Sequence, residues 1–170
     1  MSNFNAGWYL IYTKPKHEKK VAESLTEQGI QLFLPTTRAL RTWCDRRKYI
    51  DTPLFPSYIF VYLNNMVDYY NGLNTEGALY YVKFDKKVVR VKDEIMDSIR
   101  LLVSQGTDLE VSNEYFRPGQ QLVIYDGPLT GLSCEVIQVN GKEKILVRVY
   151  LLQRNLLATL PSRAMRHLSA

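Results

Sequence analysis

The sequence predicts an α+β chain: an N-terminal antiparallel sheet with helices on one face, a linker, and then a small all-β barrel. Three observations carry this prediction. Up to Val103, runs with the two-residue period of a strand alternate with amphipathic runs of helical period. From Ser104 to Glu114 that periodicity is lost around Gly106 and several small or acidic residues. Beyond Glu114, short β-rich runs separated by turn residues follow one another with no helix-length pattern. The implied organisation is a first domain at 1–103, a linker at 104–114 and a barrel at 115–170.

The first strand is Trp8-Tyr9-Leu10-Ile11-Tyr12-Thr13, with Trp8, Leu10 and Tyr12 on one face and Tyr9 and Ile11 on the other. Pro15 suits the first turn of a helix. That helix carries Val21, Ala22 and Leu25 on a narrow apolar stripe, keeps Lys16, Lys19, Lys20, Glu23 and Glu27 outside, and ends at Gly29. Ile30 to Pro35 resumes as a strand, and Arg38 to Tyr49 reads as a charged hairpin arm or loop.

Leu54 to Leu63 is the central strand. Ile59, Val61 and Leu63 line one side, and Tyr58, Phe60 and Tyr62 line the other. Both faces are apolar, so the aromatic face needs a helix, a second domain or a partner to cover it. Met66 to Leu73 is a short helix, and Gly77 precedes a strand at Leu79 to Phe84 in which Tyr80, Val82 and Phe84 share a face. Asp85-Lys86-Lys87 turns into Val88-Val89-Arg90-Val91. Asp93 then caps a helix whose buried stripe is Ile95, Met96, Ile99, Leu102 and Val103.

In the second half, strands are expected at Leu122 to Tyr125, Cys134 to Val139, Ile145 to Tyr150 and Leu156 to Leu160. Asp126-Gly127-Pro128, Asn140-Gly141 and Gln153-Arg154-Asn155 separate them, and Asn-Gly is the strongest short-range hairpin signal in the chain.

The totals narrow the function classes. At 170 residues the chain suits one medium or two small domains. No apolar window approaches bilayer length, and Met1-Ser2-Asn3-Phe4-Asn5 lacks the pattern of a signal peptide, so a cytoplasmic protein is expected. Cys44 and Cys134 stand far apart without metal or redox spacing and read as structural thiols. Neither a metal nor a cofactor is implied. Only His17 and His167 are available for acid–base work, and no nucleophile triad, carboxylate pair or phosphate loop accompanies them, which argues against an enzyme. The net charge of +5 is concentrated in residues 1–103, with 15 Lys and Arg against 11 Asp and Glu. Residues 104–170 hold 7 against 6. An anionic neighbour, if there is one, faces the N-terminal part.

The chain resembles the NusG family of transcription elongation factors over nearly its whole length. The N-terminal resemblance is carried by Trp8-Tyr9, a basic helix, Phe55-Pro56-Ser57-Tyr58-Ile59-Phe60-Val61, and Asn74-Thr75-Glu76-Gly77 leading to Tyr81-Val82. The second part resembles a KOW domain through Pro118-Gly119, Val123, Gly127-Pro128-Leu129 and Gly131-Leu132, departing from the pattern at Cys134, where glycine is usual. Ser57 also stands where housekeeping NusG usually has glycine, which is closer to specialised paralogues such as RfaH and the UpxY antiterminators of capsule loci.

The resemblance implies binding to RNA polymerase. Its β′ clamp helices would meet Leu10, Tyr12, Tyr58, Phe60, Val82 and Phe84, and the β gate loop would meet Asp68, Tyr69 and Tyr70. The alternative for the aromatic face is core beneath the second domain, and Tyr69 and Tyr70 read equally as packing residues. Lys14, Lys16, His17, Lys19 and Lys20 on the helix, with Arg46 and Arg47 on the hairpin, would face upstream DNA or the non-template strand; a solvated surface is the rival reading. The family's second domain recruits a ribosomal protein or Rho, and in RfaH it refolds into a helical hairpin. The strand alternation and Asn140-Gly141 here favour a stable barrel. The implied function is suppression of pausing or termination, at surface polysaccharide operons for a UpxY-type protein, by a monomer without membrane attachment. The alternative is an RNA-binding or ribosome-associated KOW protein.

Overall fold

The structure is a computed structural model that describes residues 4–104, 109–124, 132–149, 152, 154–159 and 166–168. It has the α+β architecture expected, divided into two compact units, Met1–Asp93 and Glu94–Ala170.

In the first unit β1 (Gly7–Thr13), α1 (Glu18–Glu27) and β2 (Gln31–Phe33) are followed by a hairpin of β3 (Thr36–Trp43) and β4 (Arg46–Pro53). Then come β5 (Tyr58–Leu63), α2 (Met66–Leu73), β6 (Ala78–Tyr81), β7 (Lys83–Phe84) and β8 (Lys87–Val88). The sheet order is β2-β5-β1-β6, all antiparallel. Helices α1 and α2 cover the face carrying Tyr9, Ile11, Ile59, Val61, Leu63 and Tyr81, with Val21 and Leu25 wholly buried against it. This is the amphipathic match the alternation predicts.

Several elements differ from expectation. Helix α1 begins at Glu18, because Lys16 takes a φ of +64° and breaks the helical path that Pro15 would otherwise start. Its C-terminal end is as expected. Gly29, at φ +75°, donates to the Thr26 carbonyl at 3.0 Å, and Ile30 donates to the Leu25 carbonyl at 3.0 Å, a Schellman closure with buried Ile30 near buried Leu25. The central strand starts at Tyr58. Leu54 to Ser57 form a bend and turn, with Ser57 at φ +69°, so Leu54 and Phe55 are buried as turn residues. The third strand breaks at Val82. Phe84 lies on a separate hairpin, β7–β8, whose two loop residues Asp85 and Lys86 both have positive φ, the geometry of a type I′ turn.

The second unit contains α3 (Asp93–Ser104, apart from its first residue) and a six-stranded antiparallel sheet. Its strands are β9 (Leu109–Ser112), β10 (Gln120–Ile124), β11 (Ser133–Val139), β12 (Lys142–Val149), β13 (Arg154–Thr159) and β14 (Arg166–Leu168), in the order β14-β10-β11-β12-β13-β9. Residues 109–112 of the expected linker are therefore an edge strand paired with β13. Asp93 is the first helical residue and pairs with Arg90 at 3.0 Å. Asn140 and Gly141, at φ +50° and +76°, close the β11–β12 hairpin as the sequence predicts. Ile137, Leu146 and Leu157 form a core cluster flanked by Phe116 and Val139. The expected Asp126-Gly127-Pro128 turn, together with Tyr125, Leu129, Gly131, Tyr150, Gln153 and Leu160, lies outside the described residues, as do residues 105–108.

Candidate functional site

The face of the first sheet opposite α1 and α2 is built by register. Trp8 lies opposite Tyr62, Leu10 opposite Phe60 and Tyr12 opposite Tyr58, and β6 adds Tyr80 opposite Tyr12. Residues directly opposite in an antiparallel pair share a face, so these rows present one aromatic surface. The Tyr12 ring is 5.3 Å from Tyr58 and 5.0 Å from Tyr80, nearly parallel to the latter at 23°. Tyr58, Tyr12 and Tyr80 thus form a ladder across β5, β1 and β6.

Exposure is uneven along this face. Leu10 and Phe60 are 1% and 0% exposed, and Phe60 has Phe55 at 6.0 Å and Phe33 at 6.2 Å. Both were expected at the partner surface; here they form the middle row of a packed aromatic layer. Tyr12, Tyr58 and Val82 are half-buried, and the Val82 amide donates to the Leu10 carbonyl at 2.8 Å. Phe84 is 73% exposed on its hairpin. Sequence reasoning placed Tyr80 on the face of Val82 and Phe84 yet left it out of the site. It is 51% exposed and stacked on Tyr12. Its alternation with buried Tyr81 was the available signal.

The α2 residues have local roles. Asn65 caps the helix by accepting the Asp68 amide at 3.0 Å, while the Asp68 carboxylate accepts the Asn64 amide at 2.9 Å. Tyr69 stacks on Tyr81 with ring centroids 4.5 Å apart, and its carbonyl accepts the Tyr81 hydroxyl at 2.8 Å. Burial pushes the Tyr81 hydroxyl well above its ordinary range, so it stays a neutral donor. Of the three, Tyr70 presents its side chain to solvent, 55% exposed.

The basic residues also separate. Lys19 donates to the Asp51 carbonyl at 2.8 Å, and Lys20 pairs with Glu76 at 3.2 Å. His17 is half-buried with Nδ1 3.0 Å from the Pro15 carbonyl. Lys14, Lys16, Arg46 and Arg47 are exposed, and among the described residues they form no ion pair.

In the second unit Arg148 and Glu135 form a partly buried polar cluster. Arg148 holds both oxygens of Glu135, at 2.9 and 3.2 Å, and donates to the Phe116 carbonyl at 2.9 Å, while Glu135 also accepts the Gly119 amide at 3.0 Å. The hydrogen bond from Arg148 holds the Glu135 carboxyl below its ordinary range. Cys134 beside it is buried, which raises its thiol to about 11, whereas Cys44 is exposed at the β3–β4 tip and packs no core, contrary to the structural role expected for it. Together these surfaces offer aromatic, apolar and cationic contacts suited to binding.

Residues 6–100 match the family described as "NusG: Transcription termination factor nusG". The Transcription termination/antitermination protein NusG of Lactococcus lactis subsp. lactis is 26% identical over 160 residues, spanning 85% of this chain and 84% of that protein. The protein of the same description from Pseudomonas aeruginosa is 23% identical over 169 residues, spanning 87% and 90%. A solved structure described as "Domain interaction in Thermotoga maritima NusG" covers 91% of this chain and 94% of its own at 20% identity and a TM-score of 0.48. No described helix is long and apolar enough to cross a membrane. With the family match extending over more than half of its length, the chain belongs to the NusG family of transcription termination and antitermination factors.

Proposed function

We propose that this chain is an elongation and antitermination factor that docks on RNA polymerase through the aromatic sheet face. The observation that carries the reading is the Tyr58–Tyr12–Tyr80 ladder with exposed Phe84 nearby in sequence, an apolar surface of the kind that receives a partner's helices. The partner is the β′ clamp-helix pair. Tyr12, Tyr58, Tyr80 and Phe84 make the contact, Val82 lies at its edge, and Leu10 and Phe60 form the packed row beside it. Tyr70 is the residue for the β gate loop, with Asp68 and Tyr69 fixing the helix that presents it. Lys14, Lys16, His17, Arg46 and Arg47 lie towards upstream or non-template DNA, where phosphates attract cations irrespective of base.

Residues 1–103 carry these contacts, and residues 115–170 recruit a ribosomal protein in the cytoplasm. The activity is binding without a chemical step: a bridge across the polymerase cleft favours the closed, unpaused state by its differential affinity for that state. Ser57, occupying a left-handed backbone position that suits glycine, supports a specialised paralogue of the UpxY or RfaH kind, acting at surface polysaccharide operons. Single-round transcription by bacterial RNA polymerase on a template with a pause site and a terminator tests the function. Added protein shortens the pause and raises readthrough; longer pausing or increased termination contradicts the reading.

A further inference from the structure

The face of the β3–β4 hairpin that meets α1 combines two features. The register puts Trp43 opposite Arg46 and Arg41 opposite Lys48, and residues two apart along a strand share a face, so three cations lie on the same hairpin face as one indole. Trp43 is 59% exposed although nothing in its strand pairing requires an aromatic there. Below it lies a groove of about 440 Å³, with Trp43, Ile50, Pro53 and Pro56 as its apolar lining and Lys16, Lys19 and Arg41 contributing cations. That volume falls in the ~300–1,000 Å³ range of small-ligand clefts. The two acidic residues of the lining are engaged. The Glu18 carboxylate accepts the Ser57 amide at 2.8 Å, and Asp51 faces Arg38 at 3.7 Å.

We propose that this groove binds single-stranded nucleic acid, with an unpaired base stacked on the Trp43 indole and its flanking phosphates held by Arg41, Arg46, Lys48 and Lys16. Charge decides for a polyanion, and the exposed indole decides between strands. A duplex keeps its base faces stacked inside and offers only phosphates, whereas a single strand offers both phosphates and a π-face. The inference deepens the nucleic-acid contact proposed above, moving it from simple phosphate attraction to an aromatic subsite on one side of the hairpin. Arg47 belongs to the opposite side, paired with Thr42.

The test is fluorescence anisotropy of the full chain with labelled oligothymidylate and with a duplex of the same length, at low salt. The single strand should bind more tightly than the duplex, and Trp43→Ala should weaken single-strand binding about tenfold. Trp43→Phe should keep most of it, and Lys87→Ala, on the β7–β8 hairpin, should change it less than Arg41→Ala. Equal or tighter duplex binding, or a Trp43→Ala variant that binds like the wild type, overturns the proposal. Co-elution with polymerase is scored separately. Oligonucleotide binding without polymerase binding sinks the proposed function and leaves the groove standing. Polymerase binding without single-strand preference does the reverse.

Discussion

The carboxylate of Glu18 accepts the backbone amide of Ser57 at 2.8 Å, with both residues buried. This bond ties the first turn of α1 to the left-handed turn that launches the central strand, and the Ser57 carbonyl in turn accepts the Thr13 amide of β1 at 2.8 Å. Three elements that position the aromatic face therefore meet at one residue. Glu18→Ala should destabilise the chain by about 1.5–3 kcal/mol, since it leaves a buried amide without its charged acceptor. Ser57→Gly should be neutral or stabilising by up to about 1 kcal/mol, because a left-handed φ costs an L-residue about that much and glycine nothing. Urea denaturation of both variants measures this; a Ser57→Gly variant less stable than Glu18→Ala would contradict it.

Gly72 is the buried residue of α2, and a Cβ there would overlap the Tyr81 hydroxyl. That hydroxyl donates to the Tyr69 carbonyl, so moving it aside costs this hydrogen bond. Gly72→Ala should cost about 1–3 kcal/mol from overpacking, although alanine is the better helix former. Gly72→Ala with Tyr81→Phe should recover part of the loss in a thermal melt.

The Glu135–Arg148 pair makes stability depend on acid. Hydrogen bonding from Arg148 lowers the Glu135 pKa in the folded state. Its contribution is therefore fully present above the ordinary carboxylate range and is lost as pH falls through the lowered folded value. Arg148→Met should cost about 3 kcal/mol at neutral pH by stranding a largely buried carboxylate, and should flatten the acid dependence of Tm. Glu135→Leu combined with Arg148→Met should be less damaging than Arg148→Met alone.

The two thiols should react unequally. Cys44 is exposed, whereas Cys134 is buried with its thiol raised to about 11, which leaves little thiolate at neutral pH. Native protein should take up one equivalent of a maleimide rapidly and a second only in denaturant. Rapid native labelling at Cys134, located by peptide mapping, would contradict the packing of β11.

The alternation in β1 and β5 was enough to read both faces of the sheet, and the Val21/Leu25 stripe with Gly29 placed α1 and its end. Three features were not legible, each for a physical reason. The apolar run from Leu54 looks like strand throughout, but Ser57 at φ +69° starts the pleat at Tyr58. Alternation assigned Phe60 and Leu10 correctly to the aromatic face, but periodicity does not report depth, and these two are the row that is packed rather than open. Phe84 keeps the parity of Tyr80 in sequence, yet the strand breaks at Val82 and re-forms as a separate hairpin around Asp85 and Lys86. The partner-facing candidates shift accordingly towards Tyr80 and away from Phe60.

We propose the tyrosine ladder as the polymerase-binding surface. It is tested most directly by co-elution of purified protein with a bacterial RNA polymerase elongation complex, comparing wild type with Tyr12→Ser/Tyr80→Ser. The partial exposure of these side chains lets the variant keep its fold, which circular dichroism and a thermal melt verify, whereas substitution of buried Phe60 would not. The wild type should co-elute and the folded variant should not. Equal co-elution of the two would contradict that assignment.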